Sequence, residues 1–211
     1  MKLLLAGLIL FSVACNGCAG WRDQRTVASA TPTPNEMAER REEWEYLQFI
    51  PAVNERLNGT GMKPLRFEKL PPGSRQVRVW AGFALGPLSG IILTQRDGEW
   101  SAIYIPPLEE TSNHLELTYQ DLVKSLPPPQ SGWAPFWERL EALGIYTLPD
   151  ATEVGALNSY FDARVVVVEV KTPDSYRNYM YNGLTTAEAP EAKKMFEITE
   201  TLSKEFRISL Y

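Results

Sequence analysis

Three neighbouring stretches, RQVRVWAGFAL (75–85), SGIILTQR (89–96) and EWSAIYIP (99–106), decide how this chain folds. Each is rich in Val, Ile, Trp, Tyr or Phe and alternates in the manner of a β-strand, whose successive side chains point to opposite faces. Asp97-Gly98 separates the second from the third. Asp-Gly between alternating apolar runs favours a two-residue type I′ turn, because both of its central positions need positive φ. Gly86-Pro87 supplies a turn between the first two. The reading is an antiparallel meander.

Working outward, HLELTYQ (114–120) reads as a fourth strand, with Leu115, Leu117 and Tyr119 on one face. LPPPQSGW (126–133) then leads into a helix. Trp133, Phe136, Trp137, Leu140 and Leu143 fall on one helical stripe. Gly144 followed by Ile145 is the sequence of a Schellman stop. ARVVVVEVK (163–171), a TPDS turn and YRNYMYN (176–182) predict a second hairpin. In it Val166, Val168 and Val170 share one face, and Val165, Val167, Glu169 and Lys171 the other. Thr185 and Glu188 have capping-box spacing. Pro190 opens a helix to about Phe206, with Ala192, Met195, Ile198, Leu202 and Phe206 on its buried edge. The expected class is α+β: an antiparallel sheet, meander plus C-terminal hairpin, with helices packed on one side.

Towards the N-terminus, Asn35 is a plausible N-cap for a helix over EMAERREEWEYLQ (36–48), with Met37, Trp44 and Leu47 on one side and Glu36 spaced to pair with Arg40. Pro51, Asn58-Gly59 and Gly61 break the chain after it. Before it, residues 16–34 are rich in Ala, Thr, Ser and Pro and have no periodicity, the composition of a tether. Nineteen such residues span about 25 Å root-mean-square.

The first residues have the three parts of an export signal: Lys2, an apolar run from Leu3 to Ala14, and a small residue at a cleavage point. Twelve residues of helix rise only about 18 Å, short of a hydrocarbon core of roughly 30 Å. Phe11-Ser12-Val13-Ala14-Cys15 resembles the lipobox of bacterial lipoproteins, in which small or apolar residues precede a cysteine that is acylated and becomes the new N-terminus. Cys18, preceded by Asn16 and Gly17, is the weaker candidate. The resemblance implies a signal peptide over residues 1–14 and a lipid anchor on the tether, 15–34; the patterning above then gives one α+β domain over 35–211. It places the protein in the bacterial cell envelope, held to a membrane by lipid. Asn16 is not the Asp linked with inner-membrane retention, which points to the outer membrane, facing the periplasm. An ordinary secretory signal ending at Ala14 is the rival reading. In a bacterium the sequon at Asn58-Gly59-Thr60 carries no weight.

Composition bounds the remaining chemistry. The full chain holds 21 basic and 26 acidic residues, and loss of Lys2 with the signal leaves a net charge of −6. That acidity argues against nucleic acid as a partner, which would demand a basic face. Cys15 and Cys18 are the only cysteines and His114 the only histidine, too few for a zinc site. With Cys15 acylated, no internal disulfide forms. No phosphate loop or nucleophile elbow occurs, since Gly82, Gly86 and Gly90 precede no helix and GPLSG (86–90) lacks the elbow spacing. Glu109 and Glu110 are adjacent, so on a strand they point apart. No catalytic residue, metal or cofactor is expected.

FWERLEALGIYTLPD (136–150), VVVVEVK, YRNYMYN and PEAKKMFEI resemble a pattern in uncharacterised bacterial proteins, covering residues 130–206 and implying no activity. The function expected is therefore a lipid-anchored, non-enzymatic envelope protein with a binding or structural role. The alternative is a small carboxylate-dependent hydrolase, whose two acids would have to meet from distant parts of the chain. For an envelope protein partner, the expected surface is on YRNYMYN. Alternation puts Arg177, Tyr179 and Tyr181 on one face; because an unpaired Arg is costly to bury, that face is expected outward.

Overall fold

A computed structural model describes residues 49–83, 87–108, 118–154, 165–184 and 188–210. The helix expected over 36–48, the tether, Cys15, Cys18, Glu109, Glu110, His114 and Thr185 lie outside these residues. The centre is one six-stranded antiparallel sheet in the order β4-β3-β2-β1-β5-β6. Its strands are β1 (Arg75–Gly82), β2 (Ser89–Arg96), β3 (Glu99–Ile105), β4 (Lys124–Leu126), β5 (Val165–Lys171) and β6 (Tyr176–Asn182). The α+β reading holds.

The β2–β3 turn forms as its dipeptide dictates. Arg96 pairs with Glu99, and Asp97 and Gly98 take φ of 51° and 83°, the signs that a type I′ turn requires. The fourth strand differs from expectation. Residues 114–117 lie outside the described residues, Tyr119–Leu122 is a short helix (α2), and Lys124–Leu126 takes the place beside β3. Asp121 is the reason: its carboxylate accepts both the Thr118 N–H (2.8 Å) and the Thr118 hydroxyl (2.6 Å), closing a helical turn.

On the inner face Val77, Val79, Ile91, Leu93, Val166 and Val168 are fully buried. They pack beneath α3 (Trp133–Leu143) and α4 (Pro190–Phe206). Helix α3 contributes Phe136, Trp137 and Leu140; α4 contributes Met195, Ile198 and Leu202. Both helices end in Schellman geometry. After α3 the Gly144 N–H donates to Glu141 and the Ile145 N–H to Leu140. After α4 the left-handed position is filled by Arg207, at φ 53°, and the Ile208 N–H donates to Ser203. Tyr104 then ties the last residues to the sheet through Ser209 O (2.6 Å).

The two long helices share one face, as expected, but the other face is covered too. Trp80, Ile92, Ile105, Val165, Val167 and Met180 form a second apolar cluster with Ile50, Val53, Leu57, Leu122 and Val123. The first three of these partners belong to a helical stretch, α1 (49–56), and the residue after it. The four consecutive valines of β5 are the cause: a strand apolar on both parities needs cover on both sides. Pro51, expected to break the chain, stands within α1, its ring holding φ in the helical range. The chain turns instead at Asn58-Gly59, where Gly59 adopts φ +81°.

Residues 145–150, leaving α3, lie along the free edge of β6. Asp150 is buried, accepting the Thr152 N–H through Oδ1 and the Met180 N–H through Oδ2, both at 2.8 Å. The Ala151 N–H donates to Met180 O (3.1 Å).

Candidate functional site

The surface expected on β6 is an internal clamp. Tyr179 and Tyr181 are fully buried, so the Arg177 face is the inner one and the expected exposed patch is overturned. Arg177 donates to the carbonyls of Tyr146 and Leu148 (2.6 Å to the latter). The Tyr179 hydroxyl donates to Ile145 O (2.8 Å) and the Tyr181 hydroxyl to Pro149 O (2.6 Å). The premise that arginine is costly to bury applies only to one without acceptors. Here the chain leaving α3 supplies them, and alternation within one strand carries no signal of that.

Two polar places lie on the outer face. In the first, β1 alternation directs Gln76, Arg78 and Trp80 outward, with Arg78 opposite Glu169 of β5. Arg78 is 2% exposed and every nitrogen is engaged: Nε with Gln76 Oε1 (2.8 Å), Nη1 with Lys63 O (3.0 Å), and Nη2 with Glu68 Oε2 (3.1 Å). Glu169 is 1% exposed. Its Oε2 accepts from the Trp80 indole (2.9 Å) and its Oε1 from the Tyr176 hydroxyl (3.0 Å). Burial pushes the Glu169 carboxyl up, against the pull of Arg78 and these two donors. Burial likewise lowers the Arg78 guanidinium, opposed by Glu169 and Glu68. With every one of these groups partnered, the cluster joins β1, β5 and β6 and offers no free group to a substrate.

Glycine makes this cluster possible. Gly90 pairs with Trp80 across β1 and β2, and a Cβ there would meet the indole at 2.3 Å. Only a residue without a side chain lets the ring lie on β2 with its N–H aimed at Glu169.

The second place is a pocket of about 620 Å³ at the opposite end of this face, within the size range of small-molecule sites. Its walls come from α1 and its turn (Ala52, Glu55, Arg56, Asn58, Gly59), from the chain flanking the sheet (Leu88, Leu108) and from α2 (Tyr119, Leu122). Arg56 follows Val53 by one helical turn and so turns inward with it, leaving it 8% exposed. Its Nη2 donates to Pro106 O, while Nε and Nη1 are buried with no acceptor. Burial lowers this guanidinium, opposed by Tyr104. An uncompensated buried charge costs several kcal/mol. Arg56 therefore differs from Arg78: it is a buried cation with two unmet donors and no anion beside it among the described residues. Its only advance sign was a position one turn after Val53, and it went unmarked among the breaks of residues 51–61.

Among the described residues the buried carboxylates do not converge. Asp150 holds β6, Glu169 holds Trp80 and Tyr176, and Glu205 accepts the Ser131 N–H (2.8 Å) and faces Arg139. Among the described residues no group of His, Cys, Asp or Glu is arranged to hold a metal ion, and no helix is long and apolar enough to cross a membrane. No protein-family model matches the chain, and no curated protein matches it.

Proposed function

We propose that this protein is a lipid-anchored, non-enzymatic binding domain of the bacterial cell envelope, attached through Cys15 and facing the periplasm from the outer membrane. The address rests on the sequence: the apolar run ending in FSVAC, followed by a tether without periodicity. Two or three acyl chains hold a protein stably where one holds it marginally. The binding role is carried by one observation, the pocket of about 620 Å³ walled by an arginine with unmet donors. The three carboxylates buried among the described residues, each tied to a separate structural partner, lend the hydrolase alternative no support.

The anchor is tested by labelling bacteria that express the chain with radioactive palmitate. Cys15→Ser is expected to lose the label and either leave the membrane fraction or accumulate as an uncleaved precursor. Cys18→Ser is expected to behave as wild type. Label retained in Cys15→Ser and lost in Cys18→Ser moves the anchor to Cys18; no label in wild type refutes lipid attachment.

A further inference from the structure

The pocket also has a chemical preference, and reading it rests on the binding role just proposed. Its apolar wall is Ala52, Leu88, Leu108, Leu122 and the ring of Tyr119. Its cation is Arg56, 8% exposed, whereas the other buried arginine among the described residues, Arg78, has an acceptor at every nitrogen. In a guanidinium, Nη2 sits beside both Nε and Nη1. A carboxylate on either side of Nη2 therefore engages two N–H groups together, the fork geometry in which Arg binds carboxylates best. Glu55, the one acid in the wall among the described residues, is exposed and sits about 100° round the helix from Arg56. It leaves the buried charge to be met from outside.

We infer that the pocket takes an amphiphilic monocarboxylate, its head on Arg56 and its apolar body against Leu88, Leu108 and Leu122. A neutral apolar ligand would leave both Nε and Nη1 unpaired and the charge unmet, where a carboxylate pairs one of them and meets the charge; a small hydrophilic anion would leave the leucine wall wet. One molecule with both features answers both.

The probe is 4-phenylbutyrate, compared with the uncharged 4-phenylbutanol and with acetate, titrated into the full chain in phospholipid nanodiscs by calorimetry. The acid is expected to bind at least ten-fold more tightly than the alcohol, and acetate to bind weakly. Arg56→Met should remove the preference for the acid while leaving the melting temperature equal to or above wild type, because it deletes an unpaired buried charge. Leu88→Glu keeps Arg56 and places a like charge beside the ligand, so it should weaken the acid more than the alcohol. Equal binding of acid and alcohol, unchanged in Arg56→Met, overturns the carboxylate inference but leaves the pocket a binding site. No binding of either overturns both. A steep fall in the melting temperature of Arg56→Met, with Leu88→Glu binding the acid as wild type does, makes Arg56 a structural residue and also refutes the inference.

Discussion

Replacing Gly90 with Ala adds one methyl group, and the structure says where it would go. The backbone at Gly90 is outside the left-handed region, so alanine meets no conformational objection there. The obstacle is Trp80, with Cε3 at 2.3 Å and Cζ3 at 2.5 Å from the new carbon. Carbon atoms settle about 3.5–4.0 Å apart, so the fully buried indole must retreat by about 1 Å. A shift of that size strains or breaks the Nε1–Glu169 bond, now 2.9 Å, and leaves Glu169 with one donor fewer. Overpacking of this kind costs about 1–3 kcal/mol and loss of a hydrogen bond to a carboxylate about 1.5–3 kcal/mol. The expected destabilisation is about 3–5 kcal/mol, or roughly 10 °C in melting temperature for a chain of this size. Urea unfolding followed by tryptophan fluorescence measures it. Combining Gly90→Ala with Trp80→Phe, which removes the clashing ring, should cost at least about 1 kcal/mol less than the two separate losses added together. A Gly90→Ala protein within about 0.5 kcal/mol of wild type would refute the account of Trp80 lying on β2.

Two further outcomes follow from other sites. Because burial raises the Glu169 carboxyl in the folded protein, the native state holds that proton more tightly than the unfolded chain, whose value is about 4.3. The contribution to stability is therefore full below about pH 4 and is lost as the pH climbs through the raised native value; the difference in unfolding free energy between wild type and Glu169→Gln, measured across pH 3–9, should shrink or reverse in that direction, and a flat difference would refute it. At the exposed end of α4, Arg207 occupies a left-handed position at φ 53° that glycine tolerates without strain. Arg207→Gly should stabilise the protein by about 0.5–1 kcal/mol, a rise of a few degrees in melting temperature, and a fall would show that the Arg207 side chain holds the cap.

Much of the fold was legible because its signals are local. Asp97-Gly98 announces a hairpin through φ alone, and the stripe from Trp133 to Leu143 ends at a glycine whose hydrogen bonds close the helix as its sequence implies. The four valines of β5 contained the second covered face as well, since both parities are apolar. What escaped was the part set by distant chain. Whether Arg177 faces in or out depends on carbonyls about thirty residues earlier, and the turn at Thr118–Asp121 makes Tyr119 and Gln120 helical where alternation had favoured a strand. Arg56 was illegible for a related reason. Nothing in its neighbours tells that Nε and Nη1 will lack acceptors, because a missing partner is a property of the assembled packing.

The docking of Asp150 and Ala151 on β6 has a consequence for molecules held close together. An unpaired strand edge is a template on which another chain can add a strand, and proteins kept at high local density must guard such edges. At Met180 both the outward N–H and the outward carbonyl are already taken, by Asp150 and by Ala151. On the opposite side β4 spans only three residues, too short a run to recruit a long partner strand. Neighbouring copies brought close together are thus denied an easy route from side-by-side proximity to fibre growth.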